Sequence, residues 1–430
     1  MHILVVGSGG REHALAWKVK QSPLLTRLTA APGNAGIAAL AECVPIDPID
    51  LPGIVGFCRK EHVDFVIVGP DAALAAGLVD ALDDAGIASF GPRQSAARIE
   101  SSKSFAKALC AQAGIPTSVS KSFTSAALAK AYLRELPAPY VVKADGLALG
   151  KGVIVASTLK EAEQAVDEMF GGAFGAAGEA IVIEEFLEGE EVSFFALSDG
   201  KNILPLIAAQ DHKRAFDGDQ GPNTGGMGCY SPVPAFDAAA RAQTLTRVME
   251  PTIAALAARG TPYRGVLFAG LMMTKSGPKV IEFNARFGDP ETQIMMVLMK
   301  SDILPALMAT HSGMLAREKL EWHDGSALTV VMATQGYPGN YGKGSILRGL
   351  DRASAHEGVT IFHAGTAVRE GNTVANGGRV LNVTARGKDL KEARDRAYAA
   401  IADINWPEGF YRRDIGWRAL AGVKRSSHGP

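Results

Sequence analysis

The sequence has few cysteines and almost no net charge. Four cysteines stand among 430 residues, with neither a Cys-x-x-Cys pair nor a histidine spacing typical of zinc, so a disulfide scaffold and a zinc module are excluded. The 44 Lys and Arg nearly balance the 45 Asp and Glu, and the formal net charge of -1 argues against a nucleic-acid-binding surface or attraction to an anionic membrane. We therefore expect buried thiols in a reducing compartment.

Long apolar runs are also missing. No run approaches the ~18 residues of a membrane span, and the first residues, MHILVVGSGG, enter a strand and a glycine turn without a basic segment. From these absences we predict a soluble cytoplasmic protein that acts on small molecules, with no nucleic-acid or membrane partner. A length of 430 residues predicts two to four domains, at roughly 100–200 residues each.

Residues 1–100 alternate between strand-like and helical runs. Strands are predicted at 2–6 and 64–68, and helices at 11–20 and 72–85. This alternation is typical of an α/β fold with a doubly wound parallel sheet, in which ligands bind at the carboxyl ends of the strands. We predict an N-terminal substrate domain over residues 1–101.

Two further domains are predicted downstream. Ser102 can cap a helix that Gly114 ends, which marks the start of a second domain over 102–319. Within that domain, residues 123–192 read as strand, glycine loop, strand, helix and strand, a compact unit that could act as a lid. Strand runs at 326–333 and 379–384 and a helix at 390–402 predict an α+β domain over 320–430.

The most informative segment is EFNARFGDPE, residues 282–291, which follows a strand-like run. Alternate side chains of a strand share a face, so Glu282, Asn284 and Arg286 should point one way while Phe283 and Ala285 point into a core. Two oxygen ligands beside a permanent cation suit a magnesium ion shared with a polyphosphate, and the arginine can neutralise a phosphoryl group in transfer. The alternative is an edge strand with ordinary solvated charges.

A second phosphate signal lies in VVKADGLALGKG, residues 141–152. Lys143 stands on a predicted buried strand, where it needs an anionic partner such as phosphate. The glycines of the following loop allow backbone N–H groups to approach phosphates closely, and this predicts contacts from Gly150, Lys151 and Gly152. A plain β-hairpin with a long loop would leave Lys143 unexplained.

The turn GSGGREH, residues 7–13, lies between a predicted strand and a predicted helix, where backbone N–H groups attract phosphate. A dinucleotide fingerprint would have a third glycine in place of Glu12, so we favour a sugar phosphate over a nicotinamide cofactor. Turns at Asn34 and Asp71 follow other predicted strands and could add contacts, or could be simple tight turns.

Two more segments suggest ligand contacts. A strand ends at Glu184 to Leu187, where main-chain groups could read an adenine edge and a carboxylate could hold ribose hydroxyls, although an acidic surface hairpin would look the same. The glycine-rich segment 211–228 suits a loop around a very small ligand, or an ordinary flexible loop.

Taken together, these segments resemble the ATP-grasp enzymes, and among them the glycinamide ribonucleotide synthetase (phosphoribosylamine–glycine ligase) family of purine biosynthesis. The resemblance is carried by GSGGREHA, VVKADGLALGKGV, IEEFLEGEE, DHKRAFDGDQGPNTGGMG and EFNARFGDPE, which span residues 1–292, and by GYPGNYGKG at 336–344. It implies an ATP-grasp fold with a lid subdomain between the N-terminal and C-terminal domains.

The resemblance also implies an activity and a set of site residues. The activity is ATP-dependent joining of glycine to 5-phosphoribosylamine through glycyl phosphate, with Mg²⁺ or Mn²⁺ as cofactor. The implied ATP-binding residues are Lys103, Lys143, Gly150, Lys151, Gly152, Glu184, Glu185, Phe186, Leu187 and Glu191, and the implied metal ligands are Glu282 and Asn284. The implied substrate-binding residues are Gly9, Gly10, Arg11, Glu12, Asn34, Asp71, Asp211, His212, Asn223, Thr224, Gly225, Gly226, Arg286 and Gly288, with Arg286 and Lys143 catalytic.

Some alternatives stay open at this point. Asp211 and His212 are both candidates to remove a proton from the amine. Another ATP-grasp ligase or carboxylase, or a non-catalytic ATP-binding regulator, would share much of the pattern, and neighbouring purine-pathway enzymes are candidate partners. Residues 259–281 hold no acidic residue, whereas many ATP-grasp enzymes place a further metal-binding carboxylate there, so ATP oxygens and water are expected to complete the metal shell.

Overall fold

A five-stranded parallel sheet forms the N-terminal part of the protein. The computed structural model describes residues 1–147, 152–173 and 175–426. The strand order is β3-β2-β1-β4-β5, with every pair parallel, which confirms the predicted sheet. Its strands are β1 His2–Gly7, β2 Arg27–Pro32, β3 Glu42–Cys43, β4 Phe65–Val68 and β5 Ser89–Phe90, and its helices are α1 Gly10–Val19, α2 Leu51–Lys60, α3 Asp71–Ala76, α4 Leu78–Asp84 and α5 Gln94–Ser101.

The central strand β1 is apolar throughout because both of its faces are covered. Ile3 and Val5 belong to one core cluster, whereas Leu4 and Val6 belong to another on the opposite face. The predicted single helix over 72–85 is two helices, α3 and α4. Gly77, at φ +90°, caps α3 in the left-handed conformation and redirects the chain.

The segment predicted as a lid forms its own small sheet and core. An antiparallel sheet of order β6-β9-β7-β8 packs against two helices, and its core cluster is separate from the others. The elements from residue 103 to 185 are α6 Lys103–Ala113, β6 Ser120–Phe123, α7 Ala126–Leu133, β7 Tyr140–Ala144, β8 Val153–Ala156, α8 Leu159–Glu168 and β9 Ile181–Glu185. As predicted, the Ser102 side chain caps α6 and Gly114 ends it.

A second antiparallel sheet, of order β11-β10-β16-β17, carries the EFNARFGDPE segment at the end of its edge strand. Its long strands β10 and β16 pair over ten residues, and two apolar helices follow the edge strand. The elements are β10 Glu190–Asp199, β11 Ile203–Pro205, β12 Gln210–Asp211, β13 Arg214–Phe216, β14 Gln220–Asn223, β15 Gly228–Ser231, α9 Ala238–Thr244, α10 Glu250–Ala258, β16 Arg264–Thr274, β17 Gly277–Asn284, α11 Glu291–Leu298 and α12 Leu304–Ser312.

The third large sheet crosses the predicted boundary at residue 320. Its order is β12-β15-β18-β22-β19, with β23 paired to β18, so two strands from the central region complete the C-terminal sheet. The predicted helix over 390–402 is confirmed as α14. The C-terminal elements are β18 Ser326–Thr334, α13 Leu350–Ser354, β19 Val359–His363, β20 Thr366–Arg369, β21 Asn372–Ala375, β22 Arg379–Gly387, α14 Leu390–Ala402, β23 Gly409–Phe410 and α15 Trp417–Ser426.

Helix α11 is buried along its whole length where the three parts of the protein meet. It packs against α1 from the N-terminal domain and against β15, β18 and β22. A side chain at Gly10 would place its Cβ 2.5 Å from both the Gln293 and Asn382 amide nitrogens, so only glycine allows this approach. In the described part of the chain, no helix has the length and apolar character that crossing a membrane requires.

Candidate active site

The end of β17 presents the predicted polar side chains on one face. Phe283 and Ala285 are buried in a hydrophobic core, as predicted. On the other side, the Asn284 Oδ1 atom accepts a hydrogen bond of 3.1 Å from Arg286 Nη2. Across the sheet, Gly270 is paired with Glu282, so the neighbouring strand offers no further carboxylate there. The carboxylate, amide oxygen and guanidinium are therefore grouped as the sequence predicts.

Glu100, at the end of α5, forms an ion pair with Arg286. The sequence motifs did not predict this contact. One Glu100 oxygen lies 3.1 Å from Arg286 Nη2, and the other accepts a 2.7 Å hydrogen bond from the Ala285 N–H. Burial raises the pKa of Glu100, although the Arg286 charge opposes that shift. Glu100 therefore links the entry of the central domain to the residue predicted to contact the moving phosphate.

Replacing Glu100 with glutamine is expected to lower turnover about tenfold, because it removes the charge partner that orients Arg286 while it keeps an acceptor for the Ala285 N–H. The KM for ATP should change little, since Glu100 does not face the nucleotide lysines. Steady-state kinetics of Glu100→Gln and of the partly exposed control Glu318→Gln test this. Equal losses in both variants, or a change confined to the KM for ATP, would contradict the positioning role.

Two lysines and one carboxylate form a buried charged cluster where the lid sheet meets β17, and Lys143 Nζ donates to the Ile281 carbonyl of β17 at 3.3 Å. We refer to this region as the cleft. The Glu184 Oε2 atom lies 3.1 Å from Lys143 Nζ and 2.9 Å from Lys107 Nζ, and it accepts a hydrogen bond from Ser118. Burial alone would raise the pKa of Glu184, but the two lysines hold it below its ordinary value. Glu184 Oε1 is buried without a partner among the described residues, so an acceptor faces the cleft.

Lys103, the first residue of α6, reaches into the same cleft. Its Nζ donates to the Gly146 carbonyl at 3.2 Å, and burial lowers its pKa. The Asp145 carboxylate accepts hydrogen bonds from the N–H and the hydroxyl of Ser104 and so ties the glycine loop to this helix. Gly152 is described and buried. The predicted contacts at Gly150 and Lys151 lie outside the described residues.

The remaining predicted nucleotide contacts follow β9. Phe186 is 41% exposed, and Leu187 lies beside it at the end of the lid sheet. Glu185 accepts a 3.1 Å hydrogen bond from the Val119 N–H and lies 3.3 Å from Lys279. Both contacts use Glu185 Oε1, and the Glu185 N–H donates to the Val119 carbonyl at 2.9 Å, so these groups of Glu185 hold the edge of the lid sheet.

Lys213 lies between the predicted ribose carboxylate and the predicted metal carboxylate. Its Nζ is 3.4 Å from Glu191 and 3.7 Å from Glu282. The negative charge of Glu191, and to a smaller extent that of Glu282, raises the pKa of Lys213, although burial acts in the opposite direction. Burial would raise the pKa of Glu282, but Lys213, Lys143, Lys103 and Arg286 together lower it to about 2. Glu282 is therefore ionised at any physiological pH.

The glycine-rich segment is a hairpin, β13–β14, anchored on the C-terminal domain rather than a free loop. Arg412 is fully buried and binds the Asp219 carboxylate at 2.9 Å and the Arg214 carbonyl at 3.1 Å. Its other nitrogens bind Asp414. Asn223 is paired with Arg214, and the Thr224 hydroxyl accepts the Gly226 N–H at 3.0 Å. The hairpin is therefore tied to the C-terminal domain through Arg412.

His212 and Asp211, the two candidate proton acceptors, differ because the His212 ring has a structural role. Its Nδ1 lies 3.2 Å from the Gly228 carbonyl and its Nε2 accepts the Gly416 N–H at 3.3 Å, so both ring nitrogens are bonded within the protein. Burial lowers the pKa of His212 to about 4. Burial, with the nearby Glu291 charge, instead raises the pKa of Asp211 well above its ordinary value. Of the two predicted proton acceptors, Asp211 has the raised pKa, and its Oδ1 accepts the His212 N–H at 2.7 Å.

At the N-terminal turn, two carboxylates occupy N–H groups that the sequence analysis assigned to a phosphate. Glu12 Oε2 accepts the Gly9 N–H at 2.6 Å, and Asp289 Oδ2 accepts the Arg11 N–H at 3.2 Å. The Glu12 carboxylate also fills the space beside Gly7 and Gly69. Arg11 in turn binds Glu12 at 2.6 Å. The start of α1 therefore presents anions as well as N–H groups.

A cavity of about 660 Å³ opens beside this turn, between the N-terminal and C-terminal domains. Gly9, Asn34 and Asp289 line one side, and Tyr337, Gly365 and Arg379 line the other. Asn34 bridges the two domains, since its Nδ2 donates to the Ser8 and His363 carbonyls. Arg379 is the one charged cation among the lining residues. The sequence analysis gave no role to Tyr337 or Arg379.

Other predicted residues lie around this cavity. Gly10 is buried against α11, and Asp71 begins α3 near Arg11, with part of its side chain exposed. Gly288 is buried, and a Cβ there would meet the Glu291 carboxylate at 2.3 Å. Three of the four cysteines are buried thiols, as expected, whereas Cys43 is partly exposed because it lines the cavity.

The donor set at β17 fits a hard cation shared with phosphates. Among the described residues, no group of three or more His, Cys, Asp or Glu side chains could hold a metal alone. Glu282 and Asn284 offer two oxygens, and Mg²⁺ is often held by one or two carboxylates together with substrate phosphates and water. The low pKa of Glu282 keeps its ligand oxygens ionised.

Comparison with known proteins decides the family. Models of the phosphoribosylglycinamide synthetase N domain, ATP-grasp (A) domain and C domain match residues 1–100, 101–292 and 327–418. The chain belongs to the phosphoribosylglycinamide synthetase family. As a member of that family it is a carbon–nitrogen ligase that uses ATP with a divalent metal.

Relatives in this family extend over nearly the whole chain. A phosphoribosylamine–glycine ligase of Rhizobium meliloti is 57% identical over 421 residues, covering 98% of this chain and 99% of that protein. One of Escherichia coli is 51% identical and covers 98% and 99%. A chloroplastic one of Arabidopsis thaliana is 53% identical and covers 95% and 79%.

Solved structures agree with the fold. A phosphoribosylamine–glycine ligase of Thermotoga maritima superposes with a TM-score of 0.86 at 32% identity, covering 97% of this chain and 100% of that one. A biotin carboxylase domain of Hydrogenobacter thermophilus superposes with a TM-score of 0.73 at 16% identity, covering 95% and 91%. The second likeness concerns the fold alone. The phosphoribosylglycinamide synthetase family therefore shares an ATP-grasp architecture with the carboxylases.

Proposed function

We propose that the protein joins glycine to 5-phosphoribosylamine at the expense of ATP, giving glycinamide ribonucleotide, ADP and phosphate in purine biosynthesis. One observation carries the proposal. On one side, β17 is bound to the lysine cluster through Lys143 and the Ile281 carbonyl; on the other, Asp289 lines the 660 Å³ cavity and its carbonyl binds Arg379, which also binds the glycine-rich hairpin. A phosphate donor and two acceptor substrates could meet at this point. We place the reaction in the cytoplasm.

The cleft of Lys103, Lys143 and Glu184 suits a nucleoside triphosphate. The buried lysines offer charge to its phosphates, and Glu184 Oε1, which has no partner in the part of the chain that the structure describes, offers an acceptor to an exocyclic amine of the base. Glu191 is exposed at the start of β10, so its carboxylate can leave Lys213 and accept hydrogen bonds from the ribose hydroxyls instead. The lid sheet over the cleft would exclude water from a reactive acyl phosphate.

Mg²⁺ or Mn²⁺ would be held by Glu282 and Asn284. It would neutralise charge on the phosphate oxygens during transfer. The protein's own contribution there is a guanidinium at Arg286, held by Asn284 and Glu100, and an ammonium at Lys213. Such preoriented charges stabilise a loose phosphoryl-transfer transition state without a covalent protein intermediate.

The two acceptor substrates are assigned to opposite sides of Asp289. Glycine is assigned to the glycine-rich segment at Thr224 to Gly226, where the missing side chains let Pro290, Arg379 and the Asp211 carboxylate approach the main chain closely. Phosphoribosylamine fits the 660 Å³ cavity, where Arg379 can meet its phosphate. The carboxylates of Asp289 and Glu12 near the turn favour its amine end.

The mechanism has two steps. The glycine carboxylate attacks the γ-phosphorus of ATP, which forms glycyl phosphate and releases ADP. The amine then attacks the acyl carbon, phosphate leaves, and the amine loses a proton. Asp211, whose pKa burial raises, is suited to accept that proton, whereas His212 uses both nitrogens within the protein.

Phosphate release from Mg-ATP tests the function. Phosphoribosylamine is generated from ribose 5-phosphate and ammonia, and ATP, glycine, ribose 5-phosphate and ammonia are omitted in turn. Release that requires every component, with glycinamide ribonucleotide detected by mass spectrometry, is the expected result. Release with another carboxylate, or ATP binding without turnover, would favour a different ATP-grasp ligase or a non-catalytic regulator.

Replacing Gly226 with alanine is expected to raise the KM for glycine about tenfold or more, with little change in the KM for ATP. Gly226 has φ +115°, and its added Cβ would lie 2.6 Å from Pro290 and 2.8 Å from the Asp211 carboxylate. Gly260→Ala, also at positive φ but with open space around it, is the control for backbone strain alone. Unchanged glycine kinetics in a folded Gly226→Ala protein would remove Gly226 from the site.

A further inference from the structure

Two side chains of the C-terminal domain touch both the cavity and the glycine-rich hairpin. Tyr337 and Arg379 line the cavity. The Tyr337 hydroxyl accepts the Gly225 N–H at 3.1 Å. Arg379 Nη1 donates to the carbonyls of Gly225 at 2.7 Å and Gly226 at 3.3 Å. The two proposed acceptor sites therefore share these two residues.

Arg379 uses one nitrogen, Nη1, for both of these hydrogen bonds to the hairpin. Nη1 also donates to the Asp289 carbonyl at 2.6 Å, whereas Nη2 lies 3.6 Å from the Asp289 carboxylate. The side chain remains 21% exposed toward the cavity. Gly225 packs directly on the guanidinium, since an added Cβ would be 3.1 Å from Cζ. An anion in the cavity can therefore bind the outer edge of Arg379 without breaking its contacts with the hairpin.

We infer that Arg379 and Tyr337 are positioning residues that couple the two acceptor sites, so that a sugar phosphate in the cavity strengthens glycine binding at the hairpin. The inference rests on the proposed function. It assigns these residues no contact with glycine itself, and they act through Gly225 and Gly226.

The physical basis is the cost of ordering a glycine-rich segment. Glycine residues lose more backbone freedom than others when fixed, so each ligand that uses the hairpin must meet part of that cost. A phosphate that fixes the Arg379 guanidinium holds the Gly225 and Gly226 carbonyls in place before glycine arrives. Because coupling between two bound ligands is reciprocal, glycine must strengthen sugar-phosphate binding by the same factor.

Equilibrium binding measures the coupling directly. Ribose 5-phosphate, which lacks the reactive amine, serves as the sugar-phosphate probe, and glycine affinity is measured by calorimetry in its absence and at saturation, with MgADP present. We expect the wild-type protein to bind glycine about fivefold more tightly with ribose 5-phosphate, the lower range of common allosteric couplings. Tyr337→Phe and Arg379→Lys should each reduce this factor below about twofold.

Tyr341→Phe is the matched control. Its ring lies 6.3 Å from that of Tyr337, and its loss of a hydroxyl should leave the factor unchanged. Ribose 5-phosphate that fails to bind, or that leaves glycine affinity unaltered in the wild type, would overturn the inference, as would full coupling in both Tyr337→Phe and Arg379→Lys. Formation of glycinamide ribonucleotide by the same wild-type preparation tests the proposed function separately.

Discussion

Replacing Arg286 with alanine is expected to lower turnover by about 10²-fold or more, the scale of losing one preoriented charge partner of a transition state. The guanidinium lies at the end of β17, where Asn284 and Glu100 hold Nη2 and the Phe287 carbonyl accepts from Nη1. Its loss removes positive charge from the point where we propose that the γ-phosphate and the glycine carboxylate meet. Rapid-quench measurement of glycine-dependent ADP formation gives the effect on the first chemical step.

Arg264→Ala is the control for this variant. Arg264 is exposed at the start of β16, on the same sheet but away from the cleft. Its removal should leave turnover within about twofold, as for most surface substitutions. Near-normal turnover in a folded Arg286→Ala protein would exclude Arg286 from phosphoryl transfer.

Replacing Glu282 with glutamine should produce a comparable loss, about 10²-fold in turnover at low magnesium, because it removes a charged ligand oxygen of the proposed metal site. Part of the loss should be recovered at high Mg²⁺ concentration, which distinguishes weakened metal binding from a lost chemical role. Turnover is measured as a function of free Mg²⁺ and of Mn²⁺. A magnesium dependence identical to that of the wild type would contradict a ligand role for Glu282.

Glu321→Gln is the matched control, since Glu321 pairs with Lys300 at 3.3 Å on the surface. The folded-state pKa of Glu282 is lowered to about 2, so its ionised form contributes stability above the ordinary carboxylate pKa, and that contribution is lost as pH falls toward 2. Above pH 5, Glu282 should add no acid limb to the rate profile.

The local parts of this site could be predicted from the sequence. The alternation of polar and apolar residues at β17 specifies which side chains share a face, because strand periodicity is a property of neighbouring residues. The Ser102 cap and the Gly114 stop of α6 are likewise local. Gly77 shows a limit, since helical periodicity continues through it while its φ of +90° divides α3 from α4.

The long-range parts could not be predicted from periodicity. Glu100 is distant from Arg286 in sequence and meets it only because α5 packs against the end of β17. Arg379 and Tyr337 reach the hairpin through a sheet that joins the central and C-terminal regions. The contact made by Glu12, by contrast, is local in sequence. A glutamate three residues after the N-cap residue of a helix can accept the N-cap N–H with its carboxylate, as Glu12 does from Gly9.

The sheet that joins β12 and β15 to β18 makes the C-terminal domain an inseparable part of the catalytic unit. A fragment cut at residue 320 would expose the edge of β15 that pairs with β18, and its hairpin would lose the buried Arg412 anchor. Unpaired strand edges of this kind favour aggregation. Gene fusions of this enzyme should therefore leave the chain uncut near residue 320, because a cut there separates β12 and β15 from β18.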